Sequence, residues 1–241
     1  MKTLETLKTV NRLKPSNGIL KNGEVPMLVT TEIHRREVSI KAPNFQTAMF
    51  HIKGTAPLVI KRFSAKQEFI DQYQNGKKKA SGKKIHAARS LNDVFNEARY
   101  ISRDGWDGFH ASSIRCAAIR VCTLVDFKMT LAKMSIFVKA DGVDKLEPQI
   151  PLVRIYGTAI RQDDIGRLQN GSTVLITRAA YHDWSAKLSM RWDADQFSLQ
   201  DITNLLMRAG VQCGIGEGRP FSKDSAGMGW GTFEITNEKD S

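Results

Sequence analysis

The sequence predicts an α+β protein with one antiparallel sheet covered by helices on one face. Strand-like segments outnumber helical ones, the helical segments fall between groups of strands, and a polar turn around Tyr181–Asp183 separates two alternating stretches as an antiparallel pair requires. With 241 residues, 41% of them hydrophobic and 25% charged, the chain can bury a sizeable core in one large domain or two small ones.

Residues 1–26 are polar and basic, hold Pro15, Asn17 and Gly18, and read as an N-terminal arm. Strands are expected at Met27–Ile33, at Glu37–Lys41 and within Ala48–Lys53, where Met49, His51 and Lys53 alternate with Phe50 and Ile52. Gly54 and Pro57 interrupt that run, which resumes at Leu58–Ile60. Helical spacing covers Phe63–Tyr73 and Ser90–Ile101, the second opened by Ser90 as an N-cap with Asp93 three residues on. The lysine-rich stretch between them reads as a basic insertion at about 62–95. A turn-rich loop, SRDGWDGFH, then leads into a helix over Ala111–Val125, with Ser112 or Ser113 as its cap.

Farther on, Lys133–Lys139 and Leu152–Tyr156 alternate as strands, and Thr173–Arg178 with Ala186–Trp192 resembles a hairpin. Ser198–Ala209 has the strongest helical pattern: Ser198 caps it, Leu199, Ile202, Leu205, Leu206 and Ala209 form its apolar stripe, and Gly210 fits the left-handed residue that ends a helix. The strand Thr232–Thr236 closes a domain expected over 27–236, leaving 237–241 as a tail.

Composition narrows the function. Lys and Arg number 36 against 25 Asp and Glu, for a net charge of +11 and a pI near 9.7, so polyanions are the natural partners. Residues 76–89 concentrate Lys77, Lys78, Lys79, Lys83, Lys84 and Arg89 with no acid among them, either a phosphate-contacting loop or a solvated one. Three cysteines without a CxxC pair give neither a disulfide framework nor zinc spacing; three small buried residues in a reducing, cytoplasmic compartment fit better. No apolar run approaches the roughly 20 residues that a membrane span needs, and the N-terminus lacks an apolar signal core. Neither a membrane, a metal nor a small-molecule cofactor is expected.

Residues 214–231 hold six glycines: Gly214, Gly216, Gly218, Gly227, Gly229 and Gly231. A dinucleotide fingerprint runs strand, GxGxxG, helix, whereas this segment follows a helix and precedes a strand, and no GxxxxGK[ST] occurs. What remains is a loop with Arg219 and Lys223 as cations and Phe221 and Trp230 as flat surfaces. It suits either a nucleic-acid strand, with amides and cations on phosphates and rings on bases, or a tight sheet corner in which Trp230 is buried.

The same segment resembles the C-terminal glycine-rich loop of the repeat-associated mysterious protein (RAMP) superfamily, G-x-G-x-G-R followed later by G-x-G and a final strand. Gly214, Gly216, Gly218, Arg219, Gly227 and Gly229 fill that pattern. IKGTAPLVI at 52–60 is similar to the family's first strand, and FHASSIRCAAIRVC at 109–122 to its serine-rich turn into the first helix. Within the superfamily the chain looks most like the backbone-forming subunits of CRISPR effector complexes. The resemblance implies a palm of ferredoxin-like or RRM-like topology, binding to single-stranded RNA or DNA, and homo-oligomerisation along the strand. It implies that Ser112, Ser113 and Arg115 sit at the turn where the family grips RNA backbone, and that the glycine loop lies against RNA or a neighbouring subunit. The lysine insertion would be a finger along the strand. Ala111 and Cys116 stand where the family keeps a glycine and a lysine, so Arg115 must supply the charge.

Two other functions fit the residues. A metal-independent endoribonuclease of the RAMP type would use a histidine among His86, His110 and His182, or Asp71 as in relatives that cut RNA. A self-assembling structural protein would use its basic charge for solubility alone. Asp163 with Asp164, and Asp193 with Asp195, read as solvated turn residues.

Overall fold

A computed structural model of the protein describes residues 40–62, 90–167, 171, 173–222 and 226–237. The chain divides into two compact units at Lys41/Ala42, and the elements below belong to the second, Ala42–Ser241. The expected strands Met27–Ile33 and Glu37–Lys41 and the helix Phe63–Tyr73 fall outside the described residues, apart from Ile40 and Lys41, which lie in no strand.

The fold is α+β, but the described residues form three antiparallel sheets in place of one. The first combines β1 (Phe45–Gly54), β5 (Ile136–Lys139), β10 (Ser185–Asp193) and β11 (Phe233–Thr236) in the spatial order β11-β1-β10-β5. Taken in chain order, the first and third of these strands are central, and every neighbouring pair is antiparallel. Helix α2 (Ala111–Val121) lies in the connection from β1 to β5, and α4 (Leu199–Arg208) in that from β10 to β11. The second sheet orders β2 (Leu58–Ile60), β9 (Thr173–Tyr181) and β8 (Ile160–Arg167) as β2-β9-β8. The third, β3 (Tyr100–Ile101), β4 (Asp107–His110), β7 (Pro151–Arg154) and β6 (Gly142–Val143), runs β3-β4-β7-β6.

Period-two alternation sets the core. On β1 Phe50 and Ile52 are buried, and on β10 Ala186, Leu188, Met190 and Trp192, all on the face that meets Ile114, Ala117 and Val121 of α2 and Ile202 and Leu206 of α4. Each such large side chain contributes about 1.5–3 kcal/mol. The opposite face is open among the described residues: Thr47, Met49, Lys53, Phe137, Lys139 and Arg191 are exposed. Helix α1 (Leu91–Ala98) is capped by Ser90 as expected, and the Ser198–Asp201 capping box opens α4, where the Ser198 hydroxyl and amide hold the Asp201 carboxyl below its ordinary value.

Several expectations are corrected. Thr173–Tyr181 pairs with Ile160–Arg167 and Leu58–Ile60, not with Ala186–Trp192, because the turn after Tyr181 carries the chain from one sheet into another. The loop after Ser102 contains β4, and Lys133–Lys139 begins inside helix α3 (Met129–Ser135). Residues Cys122–Val125 form a 3₁₀ turn after α2. Asp163 and Asp164 lie in β8 and are paired, Asp163 with Arg161 and Thr177, Asp164 with Arg178 at 2.7 Å. Cys116 is exposed, whereas Cys122 and Cys213 are buried.

Gly210 does not end α4. The chain continues through a π-helical turn, Ala209–Cys213, in which a Cβ on Gly210 would come within 2.0 Å of the Phe233 carbonyl oxygen. Gly214, Gly216, Gly218, Gly227, Gly229 and Gly231 then all take positive φ. The two arms of the loop pack backbone to backbone: Ile215 N–H donates to Gly231 O at 2.9 Å, and Met228 N–H to Gly218 O at 2.7 Å. The β1–β2 crossing closes the other side, with Gly231 N–H donating to Pro57 O and Glu217 N–H to Val59 O, both at 2.8 Å.

One buried ion pair ties the sheets at the point where the described chain reaches residue 62. Arg62, 7% exposed, donates to both oxygens of the fully buried Asp144, at 3.2 and 2.7 Å, and to Glu147 at 3.1 Å. Asp144 also accepts the amides of Leu146 and Glu147, so this buried carboxylate has four hydrogen bonds to its oxygens.

Two glycines separate close approach from conformation. Gly231 has φ +66° and would place a Cβ 1.8 Å from Ile215 O, whereas Gly229 has φ +78° and open space around it. Gly229→Ala should cost about 1–2 kcal/mol from its left-handed backbone alone, and Gly231→Ala at least about 3 kcal/mol. Urea unfolding midpoints check this, and equal losses would refute the close approach.

Candidate nucleic-acid interface

The serine turn and the glycine loop, far apart in the chain, meet in space. A cleft of about 330 Å³ is lined by Ser112, Ser113, Cys116, Ala117 and Arg120 of α2 and by Cys213, Gly214, Ile215, Gly216, Arg219 and Phe221 beyond α4. A second hollow of about 470 Å³ adjoins it at Ser113, Gly216 and Arg219 and extends to Lys61, Tyr100, Phe109, His110 and Glu217. Together they form a groove across the start of α2.

Helix α2 places its own donors there. Its N-cap position is His110, whose side chain caps nothing, so Ser112 and Ser113 sit in the first turn and not at the cap. The free amides of that turn carry the positive end of the helix dipole, equivalent to roughly half a charge. Ser113, Ala117 and Arg120 recur on one face at helical spacing. The Arg120 guanidinium lies 4.8 Å from the centroid of Phe221, which is 38% exposed. Arg219 donates to Gly216 O at 2.9 Å, so a cation is held by the loop's own backbone.

Among the described residues, none lining the first cleft is acidic. Glu217 of the adjoining hollow is paired with Arg178 at 2.8 Å, and Arg178 carries Asp164 as well. Burial pushes the Cys213 thiol up, while Arg219 and Arg120 pull it back.

The placement differs from expectation for several residues. Arg115 is on the far side of α2, where its guanidinium donates to Ile136 O at 2.8 Å and to Lys133 O and lies over the Phe137 ring, so it clamps α3 and β5 and does not line the groove. Trp230 lines neither hollow; its ring fills the space beside Gly218, where a Cβ would approach within 2.4 Å. Gly218, Gly227 and Gly229 also line neither hollow. Lys77, Lys78, Lys79, Lys83, Lys84, Arg89 and Lys223, together with His86 and Asp71, lie outside the described residues. Arg120, Lys61 and Tyr100 were missed. Arg120 was detectable as the cation two helical turns beyond Ser113.

His110 is half-buried with its ring edge-on to Tyr100 at 4.6 Å, and its Nε2 is buried with no hydrogen-bond partner. Burial holds its pKa below 6.5, with Arg62 adding to that and Asp144 and Glu147 opposing it. His182 is exposed after β9. No group of three or more His, Cys, Asp or Glu among the described residues could hold a metal ion, and no described helix is long and apolar enough to cross a membrane.

The chain matches no protein-family model and no curated protein sequence. The functional reading therefore stands on the groove.

The His110 shift sets a sign for pH dependence. The unfolded chain takes up a proton near pH 6.5 that the folded form resists, so stability falls as pH drops through that value and is fully present above it. Unfolding midpoints between about pH 7.5 and 5 should therefore fall more for the natural protein than for His110→Gln; parallel curves would contradict the shift.

Proposed function

We propose that this protein is a RAMP-type palm that binds single-stranded nucleic acid in the groove between α2 and the glycine loop and assembles side by side along the strand. The observation that carries it is the meeting of the serine turn with the glycine loop in a cleft that holds Arg120, Arg219 and the start of α2 and no acid among its described lining residues. Amides at a helix start and fixed guanidinium groups are complementary to phosphate. Phe221, 38% exposed beneath Arg120, offers a ring to bases, which suits a single strand better than a closed duplex.

The strand order β11-β1-β10-β5, with a helical crossover after the first and third strands, supports a ferredoxin-like topology and with it the RAMP reading. Assembly along RNA in the manner of CRISPR backbone subunits belongs to the same proposal, as does a cytoplasmic setting. A second reading, metal-independent RNA cleavage, draws on one observation: His110, its pKa lowered by burial and its buried Nε2 without a hydrogen-bond partner, lines the hollow that holds Lys61 and Arg219.

Labelled single-stranded RNA, single-stranded DNA and duplex of equal length, titrated at two salt concentrations while particle size is followed, test these readings. Strand-selective binding with size growing in proportion to strand length is expected. Arg120→Gln should weaken binding about tenfold and flatten the salt slope by about 0.7. Absence of binding at low salt would sink the proposal. Discrete RNA products that disappear in His110→Ala would favour cleavage instead, and assembly unaffected by nucleic acid would favour a structural protein.

A further inference from the structure

We propose that the open face of the four-stranded sheet is a second contact for the strand, one that stacks bases. The proposal rests on the single-strand reading above and uses residues that the groove does not contain. Phe45 of β1 and Phe137 of β5 stand on this face edge-to-face, with ring centroids 5.8 Å apart and planes at 66°. The Arg191 guanidinium caps the Phe45 ring at 4.4 Å, and Arg115 caps Phe137 at 5.2 Å. In the row Arg191, Phe45, Phe137, Arg115 the two rings are flanked by guanidinium groups, beside a hollow of about 490 Å³ lined also by Thr47, Ser189 and Lys139.

Arg115 over Phe137 also clamps α3 and β5, whereas Arg191 and Phe45 both belong to strands of the open face. Phe137 is 37% exposed and Met49 54%, on the face turned away from both helices, so these side chains add little to the core. Register places the cations Arg191 opposite Thr47 and Phe137, Lys139 opposite Ser189, and Lys187 opposite His51. Among the described residues the carboxylates of this face are fewer than its cations: Asp193 lies opposite Phe45 and accepts the Asp195 amide, and Glu234 lies opposite Lys53. A second copy of a chain with a net charge of +11 is a poor complement to such a surface, whereas a polyanion carrying flat bases matches both its charge and its rings.

Arg115 gives the two surfaces a common element. It projects from α2, whose opposite side carries Ser113 and Arg120 in the groove, and its guanidinium is fixed by the carbonyls of Lys133 and Ile136. Phosphates are held on one side of α2 and bases on the other side of the β5 edge.

The test compares a single-stranded DNA with an abasic strand of the same length and charge, binding the full chain and its Phe137→Ala, Arg191→Gln and Arg120→Gln variants. The natural protein should prefer the base-bearing strand by at least about fivefold. Phe137→Ala and Arg191→Gln should bring that ratio towards one while leaving abasic affinity within about twofold for Phe137→Ala; Arg120→Gln should weaken both strands and keep the ratio. Arg191 is exposed, so its variant reports even where the Phe137 variant fails to fold. An unchanged ratio in both face variants, alongside weakened binding by Arg120→Gln, would overturn the stacking face and leave the groove standing. A natural protein that binds neither strand would overturn both. Face variants that change particle size without nucleic acid would identify a contact between protein copies and overturn the proposal.

Discussion

The close backbone packing of the glycine loop is the constraint on which the rest of the molecule depends. At Gly231 the chain passes so near Ile215 O, and at Gly227 so near Arg219 O, that no side chain fits between them. Because the arms touch, Pro57 and Val59 can accept amides from the loop, which fixes the crossing from β1 to β2. The same contact sets where β11 begins and therefore its register on β1, from Gly54 opposite Phe233 to His51 opposite Thr236. The cleft wall at Gly214–Gly216 is a by-product of this packing, and Arg219 is aimed by the Gly216 carbonyl that the packing presents. Glycine is used here for proximity first and for ligand access second.

Charge is distributed by a different rule from the one that composition suggests. A net excess of cations invites the view that most arginines face a partner, yet Arg62, Arg99, Arg115 and Arg178 are spent inside the fold, on Asp144, Asp107, backbone carbonyls, and Asp164 with Glu217. Arg120 and Arg219 matter because no described carboxylate shares their cleft. Buried pairs of this kind hold register and geometry more than they add stability, since desolvation offsets most of their attraction.

Much of the fold was legible where one side chain pattern had one explanation. Phe50 and Ile52 against Met49 and Lys53 marked β1, and Ser198 with Asp201 marked the start of α4. Strand β8 was hidden because Ile160 and Ile165 are exposed and Asp163 and Asp164 sit beside them, so its sequence lacks an apolar face to alternate with. The pairing of β10 was misread because a local hairpin is the economical guess, whereas its buried residues belong with β1, more than a hundred positions earlier in the chain. In the groove, the residue types were legible and the phase was not. Arg115 lies three residues beyond Ser112 and Arg120 seven beyond Ser113, and only the packing of Ile114, Ala118 and Val121 decides which of the two cations points into the cleft.

The π-helical turn at Ala209–Cys213 makes the groove depend on a count and not on a kind of residue. Each residue in a regular helix advances the chain by about 100°, so the one extra residue that a π turn accommodates resets the direction in which the chain leaves α4. Losing one position such as Val211 or Gln212, both exposed, would leave every contact residue chemically intact while turning the glycine loop away from α2. A related chain could thus keep Ser113, Arg120, Arg219 and all six glycines and still lack the groove, a difference visible in an alignment as a single gap.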